Sequence, residues 1–189
     1  ASERSCGHCG GRPAGIIGRM KYSVLLFAAA LCACSPALDW REMQAEGSGI
    51  VATFPCKPDR HVRTVPLGGQ PVRMEMLVCS AGGLTFAVSF IDVGDPARVS
   101  ATLDELQRLA VANLAPLSHA GAPLQVPGMT PNTSAMRLRI EGRSPDGVGL
   151  SEQAVFFVKG LRVYQATVLG KTLPAETADI FFAGLRLPA

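Results

Sequence analysis

Six cysteines and three histidines are the residues of this 189-residue chain whose types and spacing can do chemistry. Cys6 and Cys9 bracket Gly7-His8, a Cys-x-x-Cys spacing that tunes a reactive thiolate for thiol–disulfide exchange. Cys32 and Cys34 close an apolar run that begins just after Arg19-Met20-Lys21. Cys56 and Cys79 lie further on, with His61 between them and His119 far along the chain. Neither His61 nor His119 has a nucleophile and an acid at motif spacing, and no Gly-x-Ser-x-Gly, Ser-x-x-Lys or His-Glu-x-x-His occurs. No residue set is therefore assigned as catalytic, cofactor-binding or metal-binding, and the chain is expected not to be an enzyme.

The tetrapeptide Leu31-Cys32-Ala33-Cys34 resembles the lipobox of bacterial lipoproteins. That resemblance implies cleavage before Cys34, whose thiol then carries diacylglycerol as the first residue of the mature protein. Arg19 and Lys21 supply a positive flank, and Tyr22 to Ala33 an apolar stretch ending in small residues, which is signal-peptide architecture. The stretch is well short of the roughly 20 residues that a membrane-spanning helix needs. Cys32 departs from the pattern, because small or hydroxyl residues are more usual two positions before the cut. By the same resemblance, Ser35 favours sorting to the outer membrane, on its periplasmic face. Residues 20–33 are thus expected to be a signal peptide and 34–48 a lipidated N-terminus and short tether. Residues 1–19 precede Met20 and are expected to be a non-native segment or an over-extended gene start. Cys6-Gly7-His8-Cys9 resembles the disulfide-isomerase motif, but Gly10, Gly11 and Pro13 follow it and no strand precedes it, so it is expected to be a decoy.

Charge narrows the partners. Arg4, Arg12, Arg19 and Lys21 against Glu3 carry the whole net +3 of the chain. The mature part is neutral, with 14 basic and 14 acidic residues interspersed. It has no electrostatic footprint for nucleic acid and no polybasic patch for anionic lipid. Membrane association must come from acyl chains on Cys34, and more than one chain is what stable anchoring requires. The remaining length suits one domain, expected over 49–189.

The elements that must position these groups are short. Ile50 to Phe54 is a strand stopped by Pro55, and His61 to Val65 a second, ending before a Gly68-Gly69 turn. Val72, Met74, Met76 and Val78 alternate with Arg73, Glu75 and Leu77 in a half-buried strand. Gly82-Gly83 reverses the chain into Thr85 to Ile91. Thr102-Leu103-Asp104-Glu105 matches a capping box, and Leu103, Leu106, Leu109, Ala110 and Leu114 recur at helical spacing. The Asp104-Glu105 pair is expected to serve that helix N-terminus. A Pro/Gly-rich connection runs from Pro116 to Pro131. Strands follow at Met136 to Glu141, Ala154 to Val158 and Leu161 to Leu169, the last two joined by a Lys159-Gly160 hairpin. Arg137, Arg139 and Glu141 share a face expected to be solvated. Pro174 opens a helix over Ala175 to Ala183, whose Ile180, Phe181 and Phe182 dock on the sheet, and Leu185-Arg186-Leu187 closes the chain. The order predicts an α+β fold, a mainly antiparallel sheet packed with two helices.

Val51-Ala52-Thr53-Phe54-Pro55-Cys56-Lys57-Pro58 resembles the "FPGKP" opening of many small bacterial envelope domains, with cysteine where glycine usually stands. Asp179 to Leu187 resembles their closing helix and strand. Those domains are similar to the PsbP-like fold, and the whole chain resembles proteobacterial lipoproteins. The resemblance implies a PsbP-like sandwich over roughly Leu38 to Pro188 and carries no catalytic residues. Once Cys34 is lipidated, Cys56 and Cys79 are the only cysteines left in the mature body, and an oxidising periplasm favours a disulfide between them. Zinc held by Cys56, His61 and Cys79 is the competing arrangement, short of a fourth ligand.

Two functions stay open at this level. One is a periplasm-facing, lipid-anchored, non-enzymatic module that binds an envelope protein partner or supports assembly. The other is a small-ligand binder or enzyme with a pocket between helix and sheet, around His61, His119 or Tyr164.

Overall fold

The computed structural model describes residues 38–44 and 46–188. The strands are β1 (Arg41–Gln44), β2 (Val51–Phe54), β3 (Asp59–Leu67), β4 (Gln70–Ala81), β5 (Leu84–Asp92), β6 (Ser118–Pro123), β7 (Met136–Arg143), β8 (Gly149–Lys159) and β9 (Arg162–Gly170). The helices are α1 (Val99–Asn113) and α2 (Ala175–Ala183). Seven strands form one antiparallel sheet in the order β3-β4-β5-β9-β8-β7-β6, and β1 pairs with β2 separately. The α+β class with two helices is therefore the observed one.

The seven-stranded sheet is the middle of three layers. On one face Phe54 of β2, Phe181 and Phe182 of α2, and Leu185 and Leu187 close over Leu77, Phe86, Val88, Phe157, Ala166 and Val168. Phe181 meets Phe54 and Phe86 edge to face, with ring centroids 5.4 and 5.3 Å apart. On the other face Leu103, Leu106, Ala110 and Leu114 of α1 cover Ile91, Val163, Ala154, Phe156, Val158, Leu138 and Ile140. Being covered on both sides is why Ala154 to Val158 is apolar at every position rather than alternating.

The chain departs from the sequence expectation at five places. The segment assigned to a tether contains β1, because Leu38 and Trp40 pack against the core and the Trp40 ring meets Phe86 at 5.8 Å. Thr102 does not cap α1. Asp95 accepts from the Ala97 amide at the head of a 3-10 turn, Pro96–Arg98, that runs into α1, and Thr102 donates to the Arg98 carbonyl from inside the helix. Glu105 instead accepts from the Gly68 amide at 2.6 Å, holding the β3–β4 turn. The Pro116–Pro131 connection contains β6, which its small residues conceal, and β8 begins at Gly149 rather than Ala154. Leu109 and Ile180 point outward, 40% and 42% exposed, because each stripe needs fewer apolar positions than it carries.

One close approach sets the angle of α1. Its end docks on β7 where the Arg143 amide donates to the Leu114 carbonyl at 2.6 Å, and a Cβ on Gly142 would overlap that carbonyl. Gly142→Ala is expected to cost about 2 kcal/mol, read as a lower denaturant midpoint with an unchanged slope. An unchanged midpoint would show that the helix end moves without cost.

Candidate functional site: the open half of the sheet

Cys6, Cys9, Cys32 and the expected lipidation site Cys34 lie outside the described residues. Cys56 and Cys79 are joined by a disulfide, with Cα atoms 6.0 Å apart, tying the start of the β2–β3 connection to the end of β4. Zinc has no set of ligands there: among the described residues no three His, Cys, Asp or Glu side chains converge.

Of the groups weighed for a pocket between helix and sheet, His61, His119 or Tyr164, only His119 lines a groove under α1, and the three are not brought together. His61 lies on β3 and His119 on β6, the two opposite edges of the sheet. Tyr164 is buried in the centre on the other face, where its hydroxyl donates to the Ser48 carbonyl at 2.9 Å. Beside it Arg162 donates to the Gly47 carbonyl at 2.7 Å and to Asp92 at 2.9 Å, with its guanidinium over the Phe90 ring. These bonds hold the 46–49 turn, so their task is structural. Arg137 is not simply solvated either. It donates to Gln153 and, at 2.6 Å, to Asp179 of α2, and lies over the Phe182 ring, fastening that helix to the sheet. Arg139 stays exposed and Glu141 accepts from Ser151 at 2.6 Å.

Among the described residues, the α1 stripe covers only half of one sheet face. Cross-strand partners share a face, so the register lays out the α1 side in rows. One row is Ile140, Glu152, Leu169, Thr85 and Ser80; the next is Leu138, Ala154, Thr167, Ala87, Val78 and Asp59; the third is Met136, Phe156, Gln165, Ser89, Met76 and His61. The α1 stripe covers the β7 and β8 members. Thr85, Ala87, Val78, Met76, Gln165, Thr167 and Leu169 stay half-buried, though β5 and β9 are central strands. This patch carries hydroxyls, of which Ser80 pairs with Thr85 and Thr167 accepts from Gln165, both at 3.1 Å.

Glu152 stands at the boundary between the covered and open halves. It is 8% exposed, between Ile140 and Leu169 across the strands. Among the described residues no charged partner offsets its burial, and desolvation pushes its carboxyl up to about 7. Sequence reading missed it by starting the strand at Ala154. Extending the period of two backwards from Phe156 and Ala154 would have placed a carboxylate on the helix-facing side.

A cleft of about 620 Å³ opens at the far end of the same face, between the β3–β4 turn and the start of α1, with Arg73, Asp92 and Arg98 among its walls. Asp92 there is already engaged by Arg162. Among the described residues no helix is long and apolar enough to cross a membrane. No protein-family model matches the chain and no curated protein sequence matches it.

Proposed function

We propose that the chain is a non-enzymatic lipoprotein of the outer membrane, anchored through acyl chains on Cys34 with a PsbP-like domain facing the periplasm, and that it docks an envelope protein on the open half of its sheet. The open half-face carries this reading. Beyond the α1 stripe, β4, β5 and β9 keep a row of side chains that are only half-buried among the described residues, and their hydroxyls suit contact with a protein surface. The anchor is supported by the lipobox-like Leu31-Cys32-Ala33-Cys34 behind the basic Arg19 and Lys21 and the apolar stretch Tyr22 to Ala33.

Two measurements in the native host test the two parts separately. Cys34→Ala is expected to abolish palmitate incorporation and move the protein out of the membrane fraction; retention of both would refute the anchor. A photo-crosslinking residue at Ala87 is expected to give a discrete adduct that Thr167→Arg removes, while the same probe at exposed Glu176 on α2 gives none. Equal labelling at both positions would refute the open face as the docking surface.

A further inference from the structure

The two edges of the seven-stranded sheet are built differently. β3, at one edge, carries Asp59, Arg60 and Arg63, charges that blunt an edge against further pairing. β6, at the other, reads Ser-His-Ala-Gly-Ala-Pro, is exposed at every position and has no aspartate, glutamate, lysine or arginine. Its outward amides and carbonyls alternate at strand spacing, and the group that satisfies such a row is another strand. Beside β6 lies a groove of about 550 Å³ under α1, with Val111, Ala112, His119, Gly121, Met136 and Leu138 in its walls. Gly121 forms its floor: a Cβ there would meet the Leu138 side chain at 3.3 Å and Met136 at 3.5 Å.

We propose that β6 accepts an extended segment of a partner polypeptide as an eighth, antiparallel strand, whose alternate side chains enter this groove. The charges on α1 specify the occupant further. Asp104 and Arg108 both line the groove, and neither is in an ion pair among the described residues. They are one helical turn apart, about 6 Å along the axis, close to the roughly 6.7 Å between alternate residues of a strand. β6 starts beside the end of α1 and runs back along it, since Leu117 donates to Glu141 and Leu114 accepts from Arg143. An antiparallel partner therefore runs in the direction of α1. Its groove-facing positions meet Asp104, then Arg108, then Val111 and Leu138, which selects the pattern basic-x-acidic-x-apolar. This surface is distinct from the open half-face and does not depend on the anchor.

The test uses the purified full chain and a synthetic nine-residue peptide with lysine, glutamate and valine at its third, fifth and seventh positions and threonine elsewhere. Hydrogen exchange across Ser118–Pro123 is expected to slow at least tenfold with the peptide. It is expected to slow less with the lysine and glutamate exchanged, and not at all in Gly121→Val or Val111→Glu, whose unfolding midpoints serve as controls for folding. Equal protection by both peptides, or protection that survives both substitutions, overturns the proposal. So does a peptide that leaves these amides unchanged. Protection without peptide that rises with protein concentration, together with a dimer mass, assigns the edge to a second copy of the chain and also overturns it. All of these readouts are indifferent to whether Cys34 carries lipid.

Discussion

Raising the pH from 4.5 to 7 is expected to remove about 3 kcal/mol of folding stability through one side chain, Glu152. Its carboxyl titrates near an ordinary 4.5 in the unfolded chain and at about 7 in the folded one, because burial between Ile140 and Leu169 disfavours the charge and nothing cationic among the described residues restores it. A group whose folded value is raised holds its proton more tightly when folded. Its contribution is therefore fully present below pH 4.5 and is lost as pH climbs through 7. A separation of about two and a half units corresponds to roughly 3 kcal/mol at 1.36 kcal/mol per unit. Glu152→Gln removes the titrating group while keeping its shape, so the variant is expected to lack this part of the pH dependence and to exceed the parent in stability above pH 7. Urea unfolding of both proteins at pH 4.5, 6 and 7.5 decides the matter, and parallel pH profiles would sink it. The position gives the result a functional edge. Glu152 borders the open face, and carboxyls perturbed towards neutrality concentrate at functional sites.

Opening the Cys56–Cys79 bond is expected to cost a similar amount by a different route. The bond closes a chain segment of sequence separation 23. A loop of that length limits the unfolded ensemble by roughly 3 kcal/mol in the chain-entropy treatment. For a domain of this size that corresponds to a fall of about 6–12 °C in Tm. Cys56→Ser together with Cys79→Ser should show the loss without reductant, and the parent should show it only with reductant. The two serines would remain at the β2–β3 and β4 ends without new clashes, so fold and α1-side face should persist. A double variant as stable as the parent would mean that the strand pairing β3–β4–β5 already holds these ends together in the denatured chain.

Much of the architecture was legible because local pattern and global environment agreed. Alternation over Val72 to Val78 marked β4, Lys159-Gly160 marked the β8–β9 hairpin, and Pro174 marked the start of α2 at the residue observed. Legibility failed where a tertiary contact replaced a local one. Thr102 and Glu105 have the spacing of a capping box, yet Asp95-Pro96 starts the helix earlier and Glu105 is drawn to Gly68, 37 residues away in sequence. β6 has neither β-branched residues nor an alternating pattern, and exists because β7 offers it a ladder. β1 was hidden in a polar stretch and is held by Leu38 and Trp40 reaching the core.

The same division applies to function. Residue types and their local order, by themselves, determined the class of fold, the neutrality of residues 34–189 and the candidate lipid and disulfide cysteines, because these depend on composition and on neighbours along the chain. Only the tertiary structure decided which surfaces are left over. The register turned Thr85, Ala87, Gln165 and Thr167 into one face, and the α1 stripe covered the other half of that face. Strand order put His61 and His119 at opposite edges and left β6, which has no charged residue, at one of them. Burial of a side chain is set by elements distant in sequence, so neither the open face nor the perturbed carboxyl beside it is written in any local run of residues.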